Sequence, residues 1–183
     1  MDGPQPDRAL PDRSLAGRLL VAAPLLEDPN FSRTVVLILR HDEEGAMGLI
    51  LNRRSEEPAA PYLSQWEDFL ETDGLVFEGG PVERERAMGL VAPTALDDPP
   101  IAHIADLSGA PGPPFPIRIF AGYSGWAPGQ LEFEIELHSW IVVPAEPGDF
   151  LTSEPDRLWS RVLARQGGKV AMLANYPMDP SLN

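Results

Sequence analysis

Thr34-Val35-Val36-Leu37-Ile38-Leu39-Arg40-His41-Asp42-Glu43-Glu44-Gly45-Ala46-Met47-Gly48-Leu49-Ile50-Leu51-Asn52 is the stretch whose reading decides the fold. Its first half is β-branched and apolar, the composition of a central strand. Asp42-Glu43-Glu44-Gly45 follows as a four-residue hairpin loop, with glycine where the backbone needs a positive φ. Ala46–Asn52 returns as the partner strand through Met47, Leu49 and Leu51. Gly48 inside that strand predicts a bulge or a close approach by another backbone.

Upstream of the hairpin, Leu15–Ala23 is apolar and reads as a buried strand, ended by Pro24. Glu27–Ser32 has turn chemistry, and Phe31 within it is a core anchor. Downstream, Arg53–Ala60 reads as a polar linker and Pro61–Glu71 as a helix. Leu63, Trp66, Phe69 and Leu70 give that helix one apolar face. Leu75–Glu78 is a short strand, Gly79-Gly80-Pro81 a sharp turn, Val82–Arg86 a charged segment and Met88–Ala92 another strand. Pro93–Pro116 holds seven of the 21 prolines and reads as a long surface excursion with one short element at Ile101–Ile104. Ile117–Tyr123 and Trp140–Val143 are strands. Ser153–Gln166 is a helix, with Ser153 and Asp156 placed as a capping box and Gly167 as its stop.

Leu131–Leu137 fits two periods. Glu132, Glu134 and Glu136 alternate with Phe133, Ile135 and Leu137, as in a strand. Leu131, Ile135 and His138 also share a helical face, and Pro128 suits a first helical turn. Periodicity favours the strand.

The chain has 183 residues, enough for one domain without a covalent staple. Residues 1–14 are expected as a disordered tail, 15–176 as the domain and 177–183 as a second tail. Met1–Arg13 lacks the apolar stretch of a signal peptide. With no cysteine, disulfides and thiolate metal sites are excluded. His41, His103 and His138 are too dispersed for a zinc site, so no metal and no cofactor is expected. The net charge of −14 repels phosphate backbones, which makes a nucleic-acid partner a poor expectation. No apolar run reaches the length of a membrane span. A cytoplasmic protein whose partner is a small molecule or another protein is the expectation.

The chemically capable residues crowd into Gly122–Glu132. Gly122-Tyr123-Ser124-Gly125-Trp126 resembles a nucleophile elbow, but that motif requires glycine where Trp126 stands. No residue is therefore assigned as catalytic. The amides after Gly125 could accept an anion, with Gln130 holding a ligand or a neighbouring backbone. Phe77–Val82 lacks the Lys-Ser/Thr of a phosphate loop and reads as a turn that brings backbone close to residues 122–132. His41 and Asn52 mark matching ends of the hairpin. The candidate ligand-binding set is therefore His41, Asn52, Gly79, Gly80, Tyr123, Ser124, Gly125, Trp126, Gln130 and Glu132, gathered where the three stretches converge. A hydrolase using His or carboxylate groups is the alternative. It requires His41 or His138 in contact with Ser124, Asp42 or Glu132 beside a pocket.

Several of these stretches together resemble the YqgE/AlgH-like proteins, a bacterial family. They are Leu15–Pro24, Glu27–Phe31, His41–Asn52, Phe77–Val82, Gly122–Glu132 and Ser139–Trp140, in the family's order and across most of Leu15–Arg165. The resemblance implies a single α+β domain with a strongly curved, mainly antiparallel sheet flanked by helices. It also implies a helix over Pro128–His138, against the alternating period, and that helix is adopted. It carries a transcriptional-regulator label, which the acidic charge disfavours. The proline-rich Pro93–Pro116 and the final residues depart from the family pattern.

Overall fold

The computed structural model describes residues 14–71, 73–93, 102–111 and 116–177. Alternation along the first strands fixes the layers. In β1 (Arg18–Ala22) and β2 (Val35–Asp42), Leu19, Val21, Val35 and Leu37 face one core. Leu20, Ala22, Val36 and Ile38 face a second core on the opposite side. Strands buried on both faces read as continuous apolar runs, which is why these two were legible.

The remaining strands are β3 (Gly45–Ile50), β4 (Arg54–Pro58), β5 (Leu75–Glu78), β6 (Val82–Val91), β7 (His103–Ala105), β8 (Ile117–Trp126) and β9 (Trp140–Pro144). They build one open nine-stranded sheet in the order β4-β5-β8-β3-β2-β1-β9, with β6 beside β8 and β7 beside β6. Among the named strands, pairing is antiparallel except between β5 and β8. The helices are α1 (Gln130–Glu136), α2 (Pro147–Phe150), α3 (Pro155–Ala164) and α4 (Gly168–Leu173). Leu158, Trp159, Val162 and Leu163 of α3 bury against the first core, and Leu131 of α1 against the second. Each fully buried aliphatic side chain contributes roughly 1.5–3 kcal/mol relative to exposure. The fold is thus mixed α+β, as expected. No helix of the described residues is long and apolar enough to cross a membrane.

Several local expectations are corrected. The hairpin loop has two residues, Glu43 and Glu44, because Asp42 and Gly45 already pair. Arg53–Ala60 is not a linker: β4 pairs with β5 as an exposed strand, so its charged sequence carried no burial signal. The helix expected over Pro61–Glu71 is a short 3-10 helix at Ser64–Phe69. Leu70 must leave it extended, because it bridges Ile117 and the next amide, Glu71 N–H, donates to Ile117 O at 3.1 Å. Val82–Arg86 and Met88–Ala92 join as a single strand, β6, with an irregular register between Val82 and Ala87. The Ser153–Asp156 capping box does not form. Pro155 starts α3, and Thr152 Oγ1 takes the Glu154 N–H at 3.1 Å instead. A reciprocal box occurs earlier, between Glu146 and Asp149 of α2. Gly167, with φ of 74°, separates α3 from α4, a helix absent from the expectation. The short element expected at Ile101–Ile104 is β7. Half of the proline-rich excursion and most of both expected tails lie outside the described residues.

A helix, α1 over Gln130–Glu136, is present here, against the alternating period. Leu131 is buried and Ile135 packs on the second core, while Phe133 and Leu137 are exposed. Half of the apparent strand face therefore never reaches the interior.

Candidate functional site

The three stretches singled out by sequence do meet, but they meet backbone to backbone. β8 is the long central strand. Its first half lies between β5 and β6, and its second half pairs with β3. At Gly122 the chain takes φ of 70°. Gly79 fits into this junction. Its N–H donates to Ala121 O at 2.9 Å, and its carbonyl accepts Ile50 N–H at 2.9 Å and the Ser124 hydroxyl at 3.1 Å. A Cβ on Gly79 would lie 2.3 Å from Gly122 O, and one on Gly80 would lie 2.2 Å from the Tyr123 carbonyl. Only glycine permits such an approach. The convergence is consequently a sealed seam. Beside it an opening lined by Gly80, Glu78, Arg53 and Arg84 measures about 10 Å³, about one water's worth of space.

The individual side chains are committed to the fold. Ser124 is fully buried on Gly79 O. Tyr123 packs partly buried against the first core, and Gly125 is exposed on β8. Trp126 and Trp140 both donate their indole N–H to Glu134 Oε2, at 2.9 and 2.8 Å. Phe31 completes an aromatic cluster with these two rings, with centroids 5.9 and 5.4 Å away. Gln130 Nε2 donates to Glu134 Oε1 at 2.9 Å, while Gln130 Oε1 accepts Ala127 N–H at 3.0 Å. The side chain proposed to hold a ligand is therefore bonded to the loop before α1 and to Glu134 within it.

His41 does contact Glu132, as the hydrolase alternative requires. Its Nδ1 accepts Leu15 N–H at 2.9 Å, so the ring proton sits on Nε2 and donates to Glu132 Oε1 at 2.7 Å. Both ring nitrogens are thus engaged, leaving no free lone pair for a substrate proton. The Glu132 carboxyl is held below its ordinary range, chiefly by its own backbone amide and then by His41. Neither residue lines any of the described openings. Among the described residues, no group of three His, Asp or Glu side chains gathers to hold a metal ion.

Asn52 leads to a different place. Its Nδ2 donates to Arg33 O and its Oδ1 accepts Val35 N–H, both at 2.9 Å. This grip holds Arg33 at φ of 60°. Asn52, Ser32, Arg33, Arg53, Asp156, Trp159, Ser160 and Ala174 line a cleft of about 510 Å³. The Arg33 guanidinium lies over the Trp159 ring, 4.1 Å from its centroid, and donates to Tyr176 O and Pro177 O. Arg53 donates to Asn30 O at 2.6 Å and Pro29 O at 2.8 Å. Sequence reasoning missed every residue here except Asn52. Residues 33 and 159 come together from separate elements, and no spacing signals it. A second opening of about 360 Å³, with Pro24, Leu25, Leu137 and Tyr176 among its walls, is mainly apolar.

The geometry defines an α+β protein organised round one open sheet, sealed at a glycine seam and open at a basic cleft. The AlgH-like family matches residues 19–171, and the chain belongs to that family. It is 47% identical to a UPF0301 protein of Streptomyces coelicolor, over 93% of this chain and 96% of the relative. It is similar in structure to protein DIP2367 from Corynebacterium diphtheriae, with a TM-score of 0.80 and 28% identity over 96% of this chain and 95% of the other. It is also similar to the AlgH protein from Pseudomonas aeruginosa, with a TM-score of 0.64 and 29% identity over 97% and 98% of the two chains.

Proposed function

We propose that this chain is a cytoplasmic, non-enzymatic module that binds a small molecule or a protein partner. The observation that carries this reading is the cleft of about 510 Å³ beside Asn52, whose volume falls in the range of small-molecule sites. Its walls come from the turn before β2, the link between β3 and β4, α3 and the end of α4, so polar groups are presented on supported backbone. The groups that a hydrolase would use favour the non-enzymatic reading. Ser124 is buried on a carbonyl, and both nitrogens of His41 are occupied. The site differs from the one expected, since the seam at Gly79-Gly80 has no room for a ligand.

A thermal-shift screen of a metabolite library against the full chain tests this reading, because a ligand of the native state raises the melting temperature by mass action. Binding is expected to raise the melting point in proportion to the logarithm of ligand concentration. Backbone amide shifts should then map to residues 32–33, 52–53 and 156–160. Turnover of a hit, or hits that map only elsewhere, would overturn it.

A further inference from the structure

Resting on that reading, we propose that the cleft between the Ser32-Arg33 turn, Asn52-Arg53 and α3 is an oxyanion site, taking the carboxylate or phosphate group of a small organic molecule. Among the described residues, neither Arg33 nor Arg53 forms an ion pair, although most arginines in the fold do. Arg54, Arg86, Arg118, Arg157, Arg161 and Arg165 all have carboxylate partners. The two cleft arginines are instead fixed by neutral carbonyls, which orient a guanidinium without cancelling its charge.

Each guanidinium keeps donors in hand. The hydrogen bonds of Arg33 to described residues use Nη2 alone, and those of Arg53 use Nη1 and Nη2, so Nε–H on both has no described acceptor. Each spare Nε–H can donate a charge-assisted hydrogen bond to one oxygen of a carboxylate or phosphate. Ser160, Asn52 and Ser32 add neutral polar groups to the lining. Burial lowers the affinity of both guanidiniums for their protons, the mark of charges removed from water without a full counter-charge. Asp28 and Glu78 act on Arg53 through space, opposed by Arg84, and Asp156 is the one carboxylate that lines the cleft.

The backbone supports the same assignment. Arg33 adopts a left-handed conformation that costs a non-glycine residue about 1 kcal/mol or more. Asn52 enforces it from both sides of the residue. Such strain is retained where a side chain must be aimed. A small ligand fits better than a polymer, because a net charge of −14 opposes any long phosphate chain that extends beyond the cleft.

The test is a titration of the full chain, followed by amide chemical shifts, with inorganic phosphate, citrate and a short single-stranded oligonucleotide. Sodium chloride at matched ionic strength is the control. Phosphate or citrate should move the amides of residues 32–33, 52–53 and 159–160, and chloride should not. Which of the two binds tighter separates a phosphate from a carboxylate ligand. Arg53→Gln should weaken binding about tenfold, the loss of one charge-assisted contact. Asp156→Asn should tighten it about threefold by removing a repelling charge. That second variant is decisive if Arg53→Gln does not fold. Shifts equal to those in chloride, no response to Asp156→Asn, or an oligonucleotide binding tighter than phosphate would overturn the oxyanion assignment. Neutral library hits mapping to the same cleft would leave the binding reading standing while this assignment falls. No hit of any kind would remove both.

Discussion

Arg33 holds a backbone angle that its side chain disfavours, and Asn52 is what keeps it there. One amide side chain answers two backbone groups that flank the strained residue, Arg33 O and Val35 N–H. Asn52→Ala would leave both groups without that partner and release the Arg33 turn. Two lost hydrogen bonds at a partly buried site cost about 2–4 kcal/mol. A urea titration of the variant should show a lower midpoint with an unchanged slope. A loss under about 1 kcal/mol would mean that the turn is held by something else, such as the Arg53 contacts to Pro29 and Asn30. Asn52 was legible as a special residue because it ends an apolar strand with an amide. Its role was not, since both partners lie across a turn from it.

At the scale of the element, α1 shows why periodicity misleads. The segment carries the alternation of a strand, yet its decisive contacts are polar. Glu134 gathers three donors, from Trp126, Trp140 and Gln130, and thereby ties the end of β8 and the start of β9 to the helix. A hydrophobicity pattern cannot report a glutamate whose job is to accept indole N–H groups. The resemblance supplied the helix that the pattern did not. β4 failed for the related reason that an exposed strand of Arg, Ser and Glu has no apolar face to count. Glu134→Ala should leave two indole N–H groups without acceptors, on rings only 5% and 4% exposed. The expected cost is about 2–4 kcal/mol, with altered tryptophan fluorescence and near-ultraviolet dichroism. Glu134→Gln retains one acceptor oxygen but sets its amide against that of Gln130, so an intermediate loss is expected. Equal stability of the wild type and Glu134→Ala would show that Phe31 and its ring contacts hold the cluster alone.

For the whole molecule, the continuity of the sheet depends on one crossing that sequence could place only roughly. The glycines at 79, 80 and 122 were visible, and so was an approach of the Gly79-Gly80 turn to residues 122–132. What could not be read was that the approach leaves no space. The turn enters the sheet between β3 and β8, where Gly79 links Ile50 to Ala121 by main-chain hydrogen bonds. A pocket and a seam draw on the same residue types, glycines beside aromatics, and only geometry separates them. The basic cleft was illegible for a complementary reason: it is assembled from a turn, the link between two strands and two late helices, none of which carries a motif. The seam makes a sharp comparison between two glycines on either side of it. A methyl carbon added to Gly80, at φ of 154°, would sit 2.2 Å from the Tyr123 backbone, and backbone on a central strand cannot step aside. Gly80→Ala should therefore lower stability by about 4 kcal/mol or more, enough to unfold a marginal domain. Gly125 lies on β8 beyond Tyr123, is exposed, and a methyl carbon there would meet nothing closer than 3.6 Å, the edge of the Tyr123 ring. Gly125→Ala should change stability by less than about 1 kcal/mol, since only surface strand propensity is altered. Thermal melts of the two variants side by side decide the matter. A tolerated Gly80→Ala would mean that the turn can withdraw from β8, so that the space between them opens in solution and the sequence-derived site regains its claim to a ligand.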